Sequence, residues 1–132
     1  MKAAMRRSSR RRAGGRCEYC HLPQDFSDLS FHVEHVIPRQ HGGTGVPKNL
    51  ALACPECNLN KGPNLTAIDP NTREIVRLFH PRRDEWARHF AYAGHRLVGK
   101  TAVGRATVIL LKMNDPARLR VRSFLISIAE LR

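Results

Sequence analysis

"NLALACPECNLNKGP", residues 49–63, changes character three times within a short span. It opens as an apolar run suited to a strand, passes through a Cys-x-x-Cys pair, and continues toward a helix. Pro55 stands inside the pair, where a helix can begin because the missing N–H would be unsatisfied in any case, and Gly62-Pro63 ends that helix. A strand that becomes a helix through two cysteines needs something to hold the corner.

A second pair, Cys17-x-x-Cys20, lies upstream, and Cys17, Cys20, Cys54 and Cys57 are all the cysteines of the 132-residue chain. The doubled spacing reads as a tetrahedral zinc site. Four thiolates on one ion would close a loop of more than thirty residues and turn the metal's binding free energy into folding free energy. Two redox motifs or unrelated thiols are the alternative. No apolar stretch resembles a signal peptide or a membrane span, so the expected location is the cytoplasm, where disulfides are rare and zinc is favoured. A chain this short has a limited apolar core, and a metal staple would supplement it.

Between the two pairs, "LSFHVEHVIP" (29–38) is rich in β-branched and aromatic residues and stops at Pro38, while "RQHGGTGVPKN" (39–49) is loop by composition. The expected order is strand, loop, strand, short helix: a small zinc-stapled ββα core over 17–63, within an α+β fold. If the metal draws these elements together, Glu34, His35, Asn49 and Asn58 fall at one corner, because Asn58 adjoins the ligand Cys57. A carboxylate and an amide oxygen are hard donors of the kind Mg²⁺ accepts, so Glu34 and Asn58 are the candidate ligands of a catalytic divalent ion. An imidazole with an ordinary pKa near 6.5 is mostly neutral at pH 7 and can take a proton from water, which makes His35 the candidate general base. Adjacent strand residues point to opposite faces, so Glu34 and His35 share one phosphate only if the strand bends or ends there.

The flanks differ from this core. Residues 1–16 hold seven Lys or Arg, no acid and a Gly-Gly, and read as a flexible basic arm that could grip phosphates, or as a disordered tail. An Arg-rich start also resembles a transit peptide, but Cys17 follows with no room for a processing spacer. Residues 64–132 read as a C-terminal α+β extension packing on the core. It has a hairpin turning at "DPNT", a short helix at "DEWARHF", and a strand and helix in "HRLVGKTAVGRATVILLKMN". A final helix follows, with Asp115 as N-cap, Pro116 at its first position, and Leu119, Phe124, Leu125, Ile128 and Leu131 at helical spacing. Trp86 and Phe90 are expected to pack the extension onto the core, and Arg82, Arg83, Arg88 and Lys100 offer it a DNA-gripping surface. The net charge of +12 calls for a polyanionic partner. Nucleic acid fits better than membrane, since the basic residues do not line one face of an apolar-backed helix.

"HVEHVIPRQHGG" followed by "KNLALACPECNLNKG", flanked by the CxxC pairs, resembles the HNH endonuclease family, the ββα-metal nuclease fold in its four-cysteine zinc form. The resemblance covers residues 17–63. It implies a metal-dependent endonuclease acting on DNA, double-stranded above all, with His35 as the water-activating histidine and Glu34 in the place of an acidic metal ligand. Asn49 matches the asparagine that fixes the loop and orients the base, and Asn58 stands where many members have their last histidine, a change that leans toward Mg²⁺ or Mn²⁺. His32, His41 and Lys61 are candidates for touching substrate or supporting the site. The extension likewise resembles a segment found behind the motif in many small bacterial HNH proteins, which assigns no residue a chemical role. The alternatives are a non-catalytic zinc ribbon that binds nucleic acid and a structural protein of a ribonucleoprotein.

Overall fold

A computed structural model describes residues 1–131 and divides them into two compact units. The first comprises Met1–Pro63 with His80–Arg83, and the second Asn64–Phe79 with the segment from Asp84 on.

The first unit is built on an antiparallel pair, β1 (His32–His35) and β2 (Leu50–Ala53), in a register that sets Glu34 opposite Ala51 and His35 opposite Leu50. β1 is shorter than the extended segment expected over 29–38 and ends at His35. All four β2 residues are buried, which is why this strand reads as an unbroken apolar run and not as an alternating one. The chain turns from β2 into the helix Pro55–Lys61, with Cys54 as N-cap: its sulfur accepts a hydrogen bond from the Cys57 N–H at 3.4 Å. The first cysteine pair lies along the same strand. The Glu18 N–H donates to the Leu52 carbonyl at 2.8 Å, and Glu18 Oε1 accepts from the Leu52 N–H at 3.0 Å. Glu18 also forms a partly buried ion pair with Arg82 of the same unit.

In place of a flexible basic arm, residues Ala3–Arg12 form a helix, α1; the helix Pro55–Lys61 is therefore α2. α1 carries no apolar stripe and buries only Ser9. Long side chains fasten it: Arg10 donates to the Phe31 carbonyl at 2.9 Å, and Arg12 to the carbonyls of Pro47 at 2.9 Å and Leu50 at 2.7 Å. The cluster Arg10–Arg12 also sits in the last turn, where positive charge complements the helix dipole.

The second unit opens with the expected hairpin, β3 (Thr66–Ile68) and β4 (Ile75–Arg77). Asp69 closes its turn. Its carboxylate accepts from the Asn71 N–H and the Thr72 hydroxyl, and takes a two-pronged bond from Arg105 at 2.9 Å on each arm, which holds the carboxyl well below its ordinary range. Then come α3 (Trp86–His89), β5 (Phe90–Ala93), β6 (Arg96–Gly99), α4 (Ala102–Leu110) and α5 (Pro116–Ser127), with β5 and β6 paired antiparallel. The strand β5 was not expected from the sequence. Trp86 and Phe90 pack within this unit, their ring centroids 5.3 Å apart, with Tyr92 5.6 Å from Trp86 and Phe79 5.0 Å from Phe90. α5 starts at Pro116 as expected, but the Asp115 side chain makes no capping bond. Leu125 and Leu131 are buried while Phe124 and Ile128 stay exposed. A buried arginine does work assigned to apolar residues: Arg122 donates to the carbonyls of His95 at 3.0 Å and Met113 at 2.7 Å.

Candidate active site

The four cysteines converge. All are buried, their sulfurs lie within 4.8 Å of one another, and none forms a disulfide. Zn–S bonds of about 2.3 Å at tetrahedral angles put sulfurs roughly 3.8 Å apart; the Cys20 and Cys54 sulfurs are 3.7 Å apart. Backbone N–H groups of Cys20 and Cys57 point at the sulfurs of Cys17 and Cys54, at 3.5 and 3.4 Å. Burial pushes the Cys57 thiol up, and hydrogen bonding to Cys17 and Cys20 pushes up that of Cys54. Four thiolates could therefore coexist here only around a cation, and the donor set suits a zinc-type site.

Glu34 turns inward, away from solvent. Its Oε1 accepts a 2.5 Å hydrogen bond from the Tyr19 hydroxyl, and its Oε2 lies 3.6 Å from the Lys61 ammonium. Lys61 is almost completely buried and also donates to the Val36 carbonyl at 2.9 Å. Burial raises the Glu34 pKa, and the Lys61 charge and the Tyr19 and Lys61 hydrogen bonds only partly oppose that rise. Tyr19 is itself pushed well up, by burial first and the Glu34 charge second. Lys61 thus supports Glu34 from within; at 2 % side-chain exposure it has no surface to offer a phosphate. Neither Tyr19 nor this inward pairing was read from the sequence. The only signal was a tyrosine between the first two cysteines and a lysine three residues beyond Asn58.

His35, at the end of β1, points elsewhere. Its Nε2 is sealed from solvent and has no hydrogen-bond partner among the described residues. The space beside it belongs to Gly45, where a side chain's first carbon would come within 3.7 Å of Nε2 and 3.9 Å of Arg39. Burial lowers the His35 pKa from 6.5, with the charges of Arg39 and the amino terminus adding to the effect, so the ring is neutral at pH 7 and keeps a lone pair.

Asn49 holds the loop that passes this ring. Its Oδ1 accepts from the Ile37 N–H at 2.9 Å, and its Nδ2 donates to the carbonyls of Ile37 at 3.0 Å and Thr44 at 2.8 Å. One buried carboxamide so joins the two ends of the Ile37–Thr44 turn. Gly43 is required there: a Cβ would run into the Ile37 carbonyl and come to 3.0 Å from Asn49 Nδ2.

The remaining expected residues are less closely tied. Asn58, in the middle of α2, is partly exposed, and its carboxamide has no hydrogen-bond partner among the described residues. His32 and His41 are exposed, at the start of β1 and in the single turn Arg39–His41. Of the basic residues expected to grip DNA from the extension, Arg82 pairs with Glu18, Arg88 pairs with Glu85, and Lys100 donates to the Ala87 carbonyl; Arg83 is exposed.

Two antiparallel strands, a short helix and the four-cysteine cluster thus lie in one unit, with His35 at the end of the first strand. The family model that matches the chain is that of the HNH endonucleases, over residues 17–64. Among curated proteins the chain is similar to the Septu protein PtuB of Bacillus thuringiensis, 28 % identical over 109 residues, which is 81 % of this chain and 40 % of that relative. The chain thus spans about two fifths of the length of the curated relative it matches. No solved structure matches it. No helix among the described residues is long and apolar enough to cross a membrane.

Proposed function

We propose that the chain is a metal-dependent endonuclease that hydrolyses phosphodiester bonds in DNA, with His35 as general base and structural zinc on Cys17, Cys20, Cys54 and Cys57. The observation that carries this reading is the His35 ring at the end of β1: burial lowers its pKa, so the ring is neutral at pH 7, and its Nε2 has no hydrogen-bond partner among the described residues. His35 takes a proton from a water molecule, and the oxygen of that water forms a bond to phosphorus. The bond from phosphorus to the leaving oxygen then breaks, and that oxygen takes a proton from solvent. Asn49 keeps the Ile37–Thr44 turn in place beside His35, and Gly45 leaves room next to the ring.

A divalent ion, Mg²⁺ or Mn²⁺, would be held by the Asn58 amide oxygen together with the Glu34 carboxylate, and when bound it supplies Lewis-acid stabilisation of charge on the phosphate. The donor set fits at Asn58, whose carboxamide has no hydrogen-bond partner among the described residues. At Glu34 it fits only if the carboxylate is shared with Lys61 and Tyr19. The inward pairing of Glu34 favours a second reading, a zinc-stapled domain that binds nucleic acid without cutting it.

Plasmid nicking with added Mg²⁺ or Mn²⁺ separates the two. The nuclease reading expects cleavage by the wild-type chain and none by His35→Ala. Equal trace cleavage by both, with both still shifting DNA in a gel, would leave the binding module.

A further inference from the structure

We propose that α1 is a phosphate-gripping rail that seats double-stranded nucleic acid against the first unit. The inference rests on the nuclease reading only for the identity of the polyanion. Lys2, Arg6, Arg7 and Arg11 are exposed, and none has an ion pair among the described residues. No acidic residue precedes Glu18 in the chain. Like charges stand one turn apart on α1, at Arg6 and Arg10 and at Arg7 and Arg11, a spacing that destabilises a helix. Little apolar burial compensates, since Ser9 is the only buried residue of α1.

A helix of this composition in water is poorly suited to anything except a dense row of negative charge. Arg10 and Arg12 do not share in that surface: their guanidinium groups are spent on the carbonyls of Phe31, Pro47 and Leu50. These bonds fasten α1 to Phe31, the residue just before β1, and to Leu50, the first residue of β2, which lies directly opposite His35 in the register. The free row and the candidate base therefore belong to one compact unit, Met1–Pro63 with His80–Arg83. A duplex backbone fits better than an anionic membrane. Membrane-surface helices pair their basic face with a large apolar one, and α1 has none. Backbone contacts of this kind position a protein on nucleic acid without reading its sequence.

The test is fluorescence anisotropy of a short labelled DNA duplex with the full chain, over a series of KCl concentrations and without added divalent ion. Replacing Arg6, Arg7 and Arg11 together by Gln is expected to weaken binding at least tenfold. It should also flatten the slope of log affinity against log salt by about 2.7, at about 0.9 per lost phosphate contact. The same three positions changed to Lys should retain the wild-type slope, which separates charge from loss of the helix. An unchanged slope in the Gln variant would overturn the proposal. So would a Lys variant as weak as the Gln variant, or retention on phosphatidylserine vesicles with no affinity for the duplex. The nuclease reading fails separately. A chain that never cuts but shows this charge-dependent slope refutes cleavage alone, while His35-dependent cutting with an unchanged slope refutes the rail alone.

Discussion

Replacing Asn49 by alanine removes an acceptor and two donors from one buried position and releases both ends of the Ile37–Thr44 turn. Each hydrogen bond contributes about 1 kcal/mol net, and buried groups left unpaired cost more, so the three together are worth about 3 kcal/mol. For a chain of this size that corresponds to a fall in Tm of roughly 10 °C. Asn49→Asp is expected to be at least as damaging. It keeps the acceptor for the Ile37 N–H but sets a carboxylate against the carbonyls of Ile37 and Thr44, where donors are needed. Calorimetry gives the Tm, and hydrogen exchange at the Ile37 amide reports the loop directly. An alanine variant within about 0.5 kcal/mol of wild type, or an Asp variant as stable as Asn, would refute the clamp, since surface substitutions without such a role fall in that range.

Three further outcomes follow from the same geometry. Lys61→Met strips the counterion from a buried carboxylate and should cost about 3–5 kcal/mol by denaturant unfolding, most of it recovered in the Lys61→Met, Glu34→Gln pair; an undiminished single variant would place Lys61 outside the fold's support. The lowered His35 pKa means that the neutral ring is the favoured form in the fold, so stability and cleavage contributed by it persist above pH 6.5 and are lost as pH falls through a lower value. The acid limb of the pH–rate profile should therefore lie below 6.5, and Arg39→Gln should move it upward; a limb above 6.5 contradicts the site. Cys54→Ser or a strong chelator should release one zinc per chain and unfold the first unit, read by elemental analysis and circular dichroism; a fold indifferent to both would remove the staple.

What the sequence made legible was local. The change from strand to helix at Cys54-Pro55, the stop at Gly62-Pro63, the turn at Asp69-Pro70-Asn71-Thr72 and the start of α5 at Pro116 each follow from a few adjacent residues. The convergence of four cysteines was legible too, because their spacing implies a shared ion. α1 was hidden because its anchors are single arginines reaching carbonyls 21 to 38 positions away, a form of support with no hydrophobic period. The orientation of Glu34 was hidden for a related reason. An acid beside a histidine looks available to a metal, and only the fold brings Tyr19 and Lys61 to its two oxygens. β5, "FAYA", is too short to announce itself beside the helical turn that precedes it.

The central claim is that His35 activates water against a phosphodiester, and cleavage of a defined duplex in heavy-oxygen water with Mg²⁺ or Mn²⁺ tests it most directly. The account predicts that wild-type products carry one labelled oxygen on each new terminal phosphate, and that His35→Ala, folded and still bound to the duplex, yields none. Products that form equally without His35, or that carry no label, would contradict it.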